Sequence, residues 1–207
     1  MPTYRLAAWC GIVAGLLITI PSAIEIATGE TAATSLLLGI SPALAAPLVV
    51  ALHLRQQHRT GTFAFTLNLI GLGLFGGAAF LLNEGVFYLS EPVAKELLQG
   101  PTKPVLLACA AIFAAGTIAF SVTMTRARVH PRIPSITYGV VLPVLALAAP
   151  LPDNLVISGL HITSGLTLVW LGAALAGYSN RNAGNTNSDR PLTRSATVES
   201  DAMSARS

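Results

Sequence analysis

Apolar residues in this chain come in long unbroken blocks, and the polar residues fall almost entirely between them. The cleanest block, residues 62–82, is 21 residues without a charge and is closed by Asn83 and Glu84. At about 1.5 Å per helical residue it crosses a hydrocarbon core of about 30 Å. The same pattern recurs and predicts six membrane-spanning helices, over residues 6–27, 34–54, 62–83, 104–125, 133–149 and 155–177. The expected fold is an all-α, polytopic membrane helix bundle occupying residues 1–177. The fifth block is the weakest, about 17 residues, and is expected to thin the bilayer locally or to be re-entrant.

Two stretches break the pattern. Residues 91–99 place Val93, Leu97 and Leu98 at helical spacing among Glu91, Lys95 and Glu96, which suits a short helix lying on the membrane interface. From Tyr178 the composition turns to Asn, Ser, Thr, Arg and Asp. Residues 178–207 bury too little apolar area to fold and are expected to form a disordered cytoplasmic tail.

Inside the blocks, a few residues stand out. Pro21, Pro42, Pro47 and Pro143 each remove a backbone donor and predict kinks. With two of them, the second span is the most distorted, either as a packing kink or as a broken helix of the kind found in carriers. Gly11-x-x-x-Gly15 and Gly73-x-x-x-Gly77 have the spacing that lets membrane helices approach closely. Asn68 is a single amide within the third span, expected to bridge helices or to line a path for an ion or substrate.

Composition and charge fix the solvent and the orientation. The chain is 53% hydrophobic and 10% charged, where a water-soluble domain carries about 25% charge. Ten of the twelve basic residues are Arg, a bias that GC-rich coding produces and that points to a bacterial source. With six spans, Arg5, the 55–59 loop, the 126–132 loop and the tail share one side and hold every Arg. The other side holds Lys95 and Lys103 with Glu25, Glu30, Glu84, Glu91, Glu96 and Asp153. The positive-inside rule then places both termini in the cytoplasm of a cell (inner) membrane. The formal charge of +3 is no nucleic-acid signal, because the basic residues sit in membrane-flanking loops and the tail.

The first span is expected to be retained, being longer than a signal-peptide core and lacking a small-residue cleavage site. Trp9 before Cys10 argues against lipidation, and Cys10 and Cys109 fall near opposite faces, too far apart for a disulfide. Three spans followed by three would run in opposite directions, as inverted repeats do, but only Gly77-Ala78-Ala79 and Gly172-Ala173-Ala174 echo each other.

Candidate chemistry is sparse. The glycines from Gly71 to Gly76 match a dinucleotide-binding pattern, yet they lie mid-helix in lipid with neither a strand nor an aqueous phosphate site. His53, His58, His130 and His161 share no face at metal-ligand spacing, and His53 and His161 differ in depth, so no metal and no cofactor is expected. No nucleophile motif occurs, and the chain is expected not to be an enzyme. A polar outer rim remains: Glu25, Asn83, Glu84, Asp153 and His161 form a candidate vestibule, with His161 about two turns below the mouth. The expected role is a non-catalytic accessory or regulatory membrane component. The alternative is a small transporter or permeation subunit with an outward-facing polar vestibule. The partners expected are the lipid bilayer and a membrane-protein partner or further copies of the chain.

Overall fold

The computed structural model describes residues 2–56, 61–148 and 154–188. Those residues form seven α-helices and no strand: α1 Pro2–Thr28, α2 Ala32–Gln56, α3 Thr62–Phe80, α4 Glu91–Gln99, α5 Thr102–Ala127, α6 Arg132–Ala148 and α7 Leu155–Ser188. Five helical segments are long and apolar enough to cross a membrane: α1, α2, Thr62–Tyr88 (α3 with its extension), α5 and the Leu155–Arg181 part of α7. The sixth, α6, has 17 residues and reaches about 25 Å by helix rise, short of a full hydrocarbon core.

Local chemistry sets several ends. Gly29, at φ +74°, takes the left-handed conformation after α1, and its amide donates to the Glu25 carbonyl at 2.9 Å. Thr31 and Thr34 exchange side-chain and backbone hydrogen bonds at the start of α2, a threonine form of the capping box. The Asn154 carboxamide oxygen accepts from the amides of Val156 and Ile157 and caps α7. Beyond Phe80, α3 widens into a π-type turn, Leu81–Gly85, and ends in a 3-10 turn, Val86–Tyr88.

Each long helix packs on the next, and α1 closes the circuit by packing most extensively on α7. The five long helices and the shorter α6 therefore form a ring in the order α1, α2, α3, α5, α6, α7, with α2 leaning inward to touch α5 and α7. A two-fold axis in the membrane plane reverses the sense of such a ring. The first three helices consequently cannot superpose on the last three in chain order by that axis, which removes the structural basis for an inverted repeat.

The surface is strongly apolar, and the interior takes in polar side chains beside its hydrophobic core. Phe63, Leu155 and Ile133 are 78%, 71% and 64% exposed, while Asn68, Thr117 and Ser135 are fully buried. Many large apolar side chains face outward, while the interior combines large ones such as Leu48, Leu52, Phe120 and Met124 with small and hydroxyl-bearing ones, an arrangement suited to lipid as solvent.

Two expectations change. The composition break at Tyr178 does not end the last helix, which runs on to Ser188. Tyr178 makes an edge contact with Tyr4 on α1 and lies under the Arg55 guanidinium, 4.1 Å from its ring, so the helix is tied down beyond Gly177. The rest of the expected tail, residues 189–207, lies outside the described residues. The second change concerns Gly73 and Gly77. A Cβ at either meets nothing within 4 Å, because their shared face opens on a shallow cleft between α2 and α3. Helix contact is made by Gly71 instead, with the Phe113 Cα 2.6 Å from its hypothetical Cβ. Gly11 and Gly15 do pack, Gly11 under Leu48 and Gly15 against Gly165 and Val169.

Candidate functional site

Four of the ring's helix ends converge around an open cavity of about 1160 Å³. From the end of α1 come Glu25 and, in the turn to α2, Glu30. From the π-type turn after α3 comes Asn83. Lys95 lies on α4, Lys103 at the start of α5, and Asn154 and His161 on the first turns of α7. The same elements supply Glu91, one turn before Lys95. Deeper in, the wall turns apolar through Ile18, Leu38, Phe75, Leu106 and Leu145.

Of the expected vestibule residues, the structure thus brings Glu25, Asn83 and His161 to one cavity. Glu84 follows Asn83 but is not part of the wall; its Oε1 is buried without a hydrogen-bond partner among the described residues. Asp153 lies outside the described residues. Glu30, Lys95 and Lys103 join them, beyond the residues expected at the rim. Their only signal was their position on the less basic side, which says nothing of which loops face one another.

Backbone irregularities shape this wall. Pro42 has no amide, so the Leu38 carbonyl loses its helical partner, and the Ser41 hydroxyl donates to it at 2.9 Å. In the wide turn after α3, the Asn83 carboxamide donates to the Ala79 carbonyl at 2.8 Å. His161 Nδ1 lies 3.1 Å from the Ile157 carbonyl, within its own helix. Pro47 lies exposed on α2, whereas Pro21 and Pro143 are buried in α1 and α6.

Below the cavity the bundle is filled. Phe75 stacks on Phe113 with ring centroids 4.6 Å apart. One layer further, Asn68 on α3 and Tyr138 on α6 meet: the amide donates to the phenol oxygen at 2.9 Å, and the phenol donates to the carboxamide oxygen at 3.2 Å. Thr117 and Phe120 of α5 pack beside them, both fully buried. Asn68 is therefore a bridge between helices here, and Tyr138 is the partner that no sequence spacing revealed.

The opposite end carries the arginines. His130 sits in the α5–α6 loop, 5% exposed, with Nε2 3.1 Å from the Leu52 carbonyl. Burial, reinforced by the nearby Arg55 charge and opposed by that hydrogen bond, lowers its pKa to about 4. His130 is thus neutral at physiological pH, with Nε2–H donating. His53 stacks on Phe65 at 4.1 Å between centroids, far along α2 from the cavity end that holds His161. His58 lies outside the described residues. Among the described residues no three His, Cys, Asp or Glu side chains converge as metal ligands, and Cys10 and Cys109 are both free thiols. No protein-family model, curated protein or solved structure matches the chain.

Proposed function

We propose that this chain is a six-span protein of a bacterial inner membrane, both termini cytoplasmic, acting as a non-catalytic accessory or regulatory component that holds a small ligand in an outward-facing vestibule. The observation that carries this reading is the closed floor. The cavity is polar and charged at its mouth, apolar below, and ends on the Phe75–Phe113 stack above the Asn68–Tyr138 bridge. Such a shape suits binding better than conduction. The orientation rests on the arginines. Tyr4, Arg55, His130 and Tyr178 gather at the end opposite the vestibule, which supports reading α6 as a sixth crossing and the positive end as cytoplasmic. The short α6 is accommodated by modest local thinning of the bilayer.

A permeation subunit is the second reading, favoured by the two prolines inside α2, which runs unbroken and lines the cavity at Leu38, Ser41 and Pro42.

Both readings meet in one experiment: impermeant maleimide labelling of single cysteines in intact cells, with Cys10 and Cys109 replaced by serine. Gln99→Cys and the vestibule position Ala79→Cys should label from outside, and Ser195→Cys should be protected. Thr117→Cys, below the floor, should stay unlabelled from either side. Labelling of Ser195→Cys from outside would sink the orientation. Labelling of Thr117→Cys would replace the binding reading with the permeation one.

A further inference from the structure

The end opposite the vestibule carries a charge that the described residues leave unanswered. Arg55, in the last turn of α2, places its Cζ over the Tyr178 ring of α7, 4.1 Å from the ring centre. Tyr4 of α1 meets the same ring edge-on, with centroids 6.4 Å apart and the planes at 80°. The platform under Arg55 is thus built by α1 and α7, the pair with the broadest contact in the molecule. Arg181 follows Tyr178 by about one helical turn, close enough that its charge opposes that of Arg55.

Among the described residues nothing negative faces this pair. Every carboxylate there, on Glu25, Glu30, Glu84, Glu91 and Glu96, belongs to the vestibule end. His130, which also feels the Arg55 charge, is neutral. Arg55 and Arg181 form no ion pair and no hydrogen bond with a described residue. A guanidinium does not escape this by deprotonation, since it stays charged throughout the physiological range. Arg55 is half-buried, so water screens its charge only in part. The contact with Tyr178 offsets some of the lost hydration, but it engages no oxygen and leaves the N–H fork unused. A single carboxylate satisfies one such fork, whereas a phosphate has oxygens for two.

We propose that Arg55 and Arg181 bind a phosphate group, with Tyr178 and Tyr4 as positioning residues that hold the Arg55 guanidinium in place. The site is separate from the vestibule and does not depend on what the vestibule holds. Its phosphate belongs to a phospholipid head at the membrane surface or to a soluble phosphate ester.

Thermal unfolding of the purified full chain in a neutral maltoside detergent, at fixed ionic strength, tests this. The probes are glycerol phosphate, lysophosphatidic acid (the same head with one acyl chain) and acetate, and each variant is read against its own ligand-free melting. Both phosphate probes should stabilise the parent and acetate should not. Arg55→Gln should raise the phosphate concentration needed by about tenfold. Arg126→Gln removes the same charge from an exposed position in the last turn of α5, at the same end, and should change it by less than about twofold. Tyr178→Leu should weaken the response as Arg55→Gln does, and Tyr178→Phe, which keeps the ring, should restore it. Action of lysophosphatidic acid at lower concentration than glycerol phosphate, lost in Arg55→Gln, supports the site with a lipid source. Equal working concentrations, lost together in that variant, support it with a soluble one. Equal losses in Arg55→Gln and Arg126→Gln would reduce the effect to diffuse positive charge and overturn the inference. No response to either phosphate probe would also overturn it, as would a response to acetate that matches the response to phosphate and so marks a seat for a partner's carboxylate.

Discussion

Asn68 and Tyr138 are each fully buried, and each is the other's hydrogen-bond partner. Removing one leaves a polar group stranded among Phe120, Thr117 and the α3–α5 crossing, whereas removing both leaves none. Asn68→Leu and Tyr138→Phe should each cost about 1–2 kcal/mol, and the double variant should cost less than the sum of the two. Equal additivity in thermal or denaturant unfolding would show that the pair is not coupled. His130 acts through its protons. Its folded pKa of about 4 lies below the ordinary value, so the unfolded chain binds a proton more readily. The stability this contributes is complete above about pH 6.5 and is lost as pH falls towards 4, on the order of 3 kcal/mol. His130→Gln, which retains a donor for Leu52, should flatten that slope. An unchanged acid transition in the variant would assign it to other groups.

At the scale of elements, α3 shows what spacing can and cannot tell. Its run of glycines announces a helix thin enough for close approach, but glycines two apart point about 200° away from each other around the axis. Gly71 therefore presses on the α5 backbone at Phe113, while Gly73 and Gly77 turn to the cleft. Which of the two faces meets a neighbour depends on where α5 and α2 stand, and nothing in α3 encodes that. Bulky substitutions should separate the two sets. Gly71→Leu and Gly116→Leu drive carbon into backbone, Gly116 meeting the Asn68 Cα at 2.6 Å, and should destabilise by about 3 kcal/mol or more. Gly73→Leu and Gly77→Leu should leave the melting temperature within a degree or two of the parent, since each adds less than about 0.5 kcal/mol of change. Melting curves of the four variants in detergent decide it. The end of α7 carries the same lesson: Gly177 looked like the boundary because polarity rises there. The turn beyond it persists through a contact with Tyr4 and Arg55, which lie far away in sequence.

At the scale of the molecule, hydropathy made the bundle legible because lipid imposes a length and a polarity on every crossing segment. The candidate site was legible only in outline. Glu25, Asn83 and His161 could be marked as rim residues from their positions at helix ends, but the lysine wall opposite them depends on the ring order, which loop lengths alone leave open. That order has a consequence for how the chain is made. The broadest contact of α1 is with α7, so α1 meets its main partner only once α7, which starts at Leu155, has been made. Until then the Ala8 and Gly15 surface of α1 lacks its seat against Gly172 and Gly165, and a half-synthesised bundle is an open arc with its small-residue seam turned to lipid. Closure of the circle thus waits on α7. A chain stalled or clipped before Leu155 presents quality-control proteases with an unclosed seam, whereas the finished ring offers none.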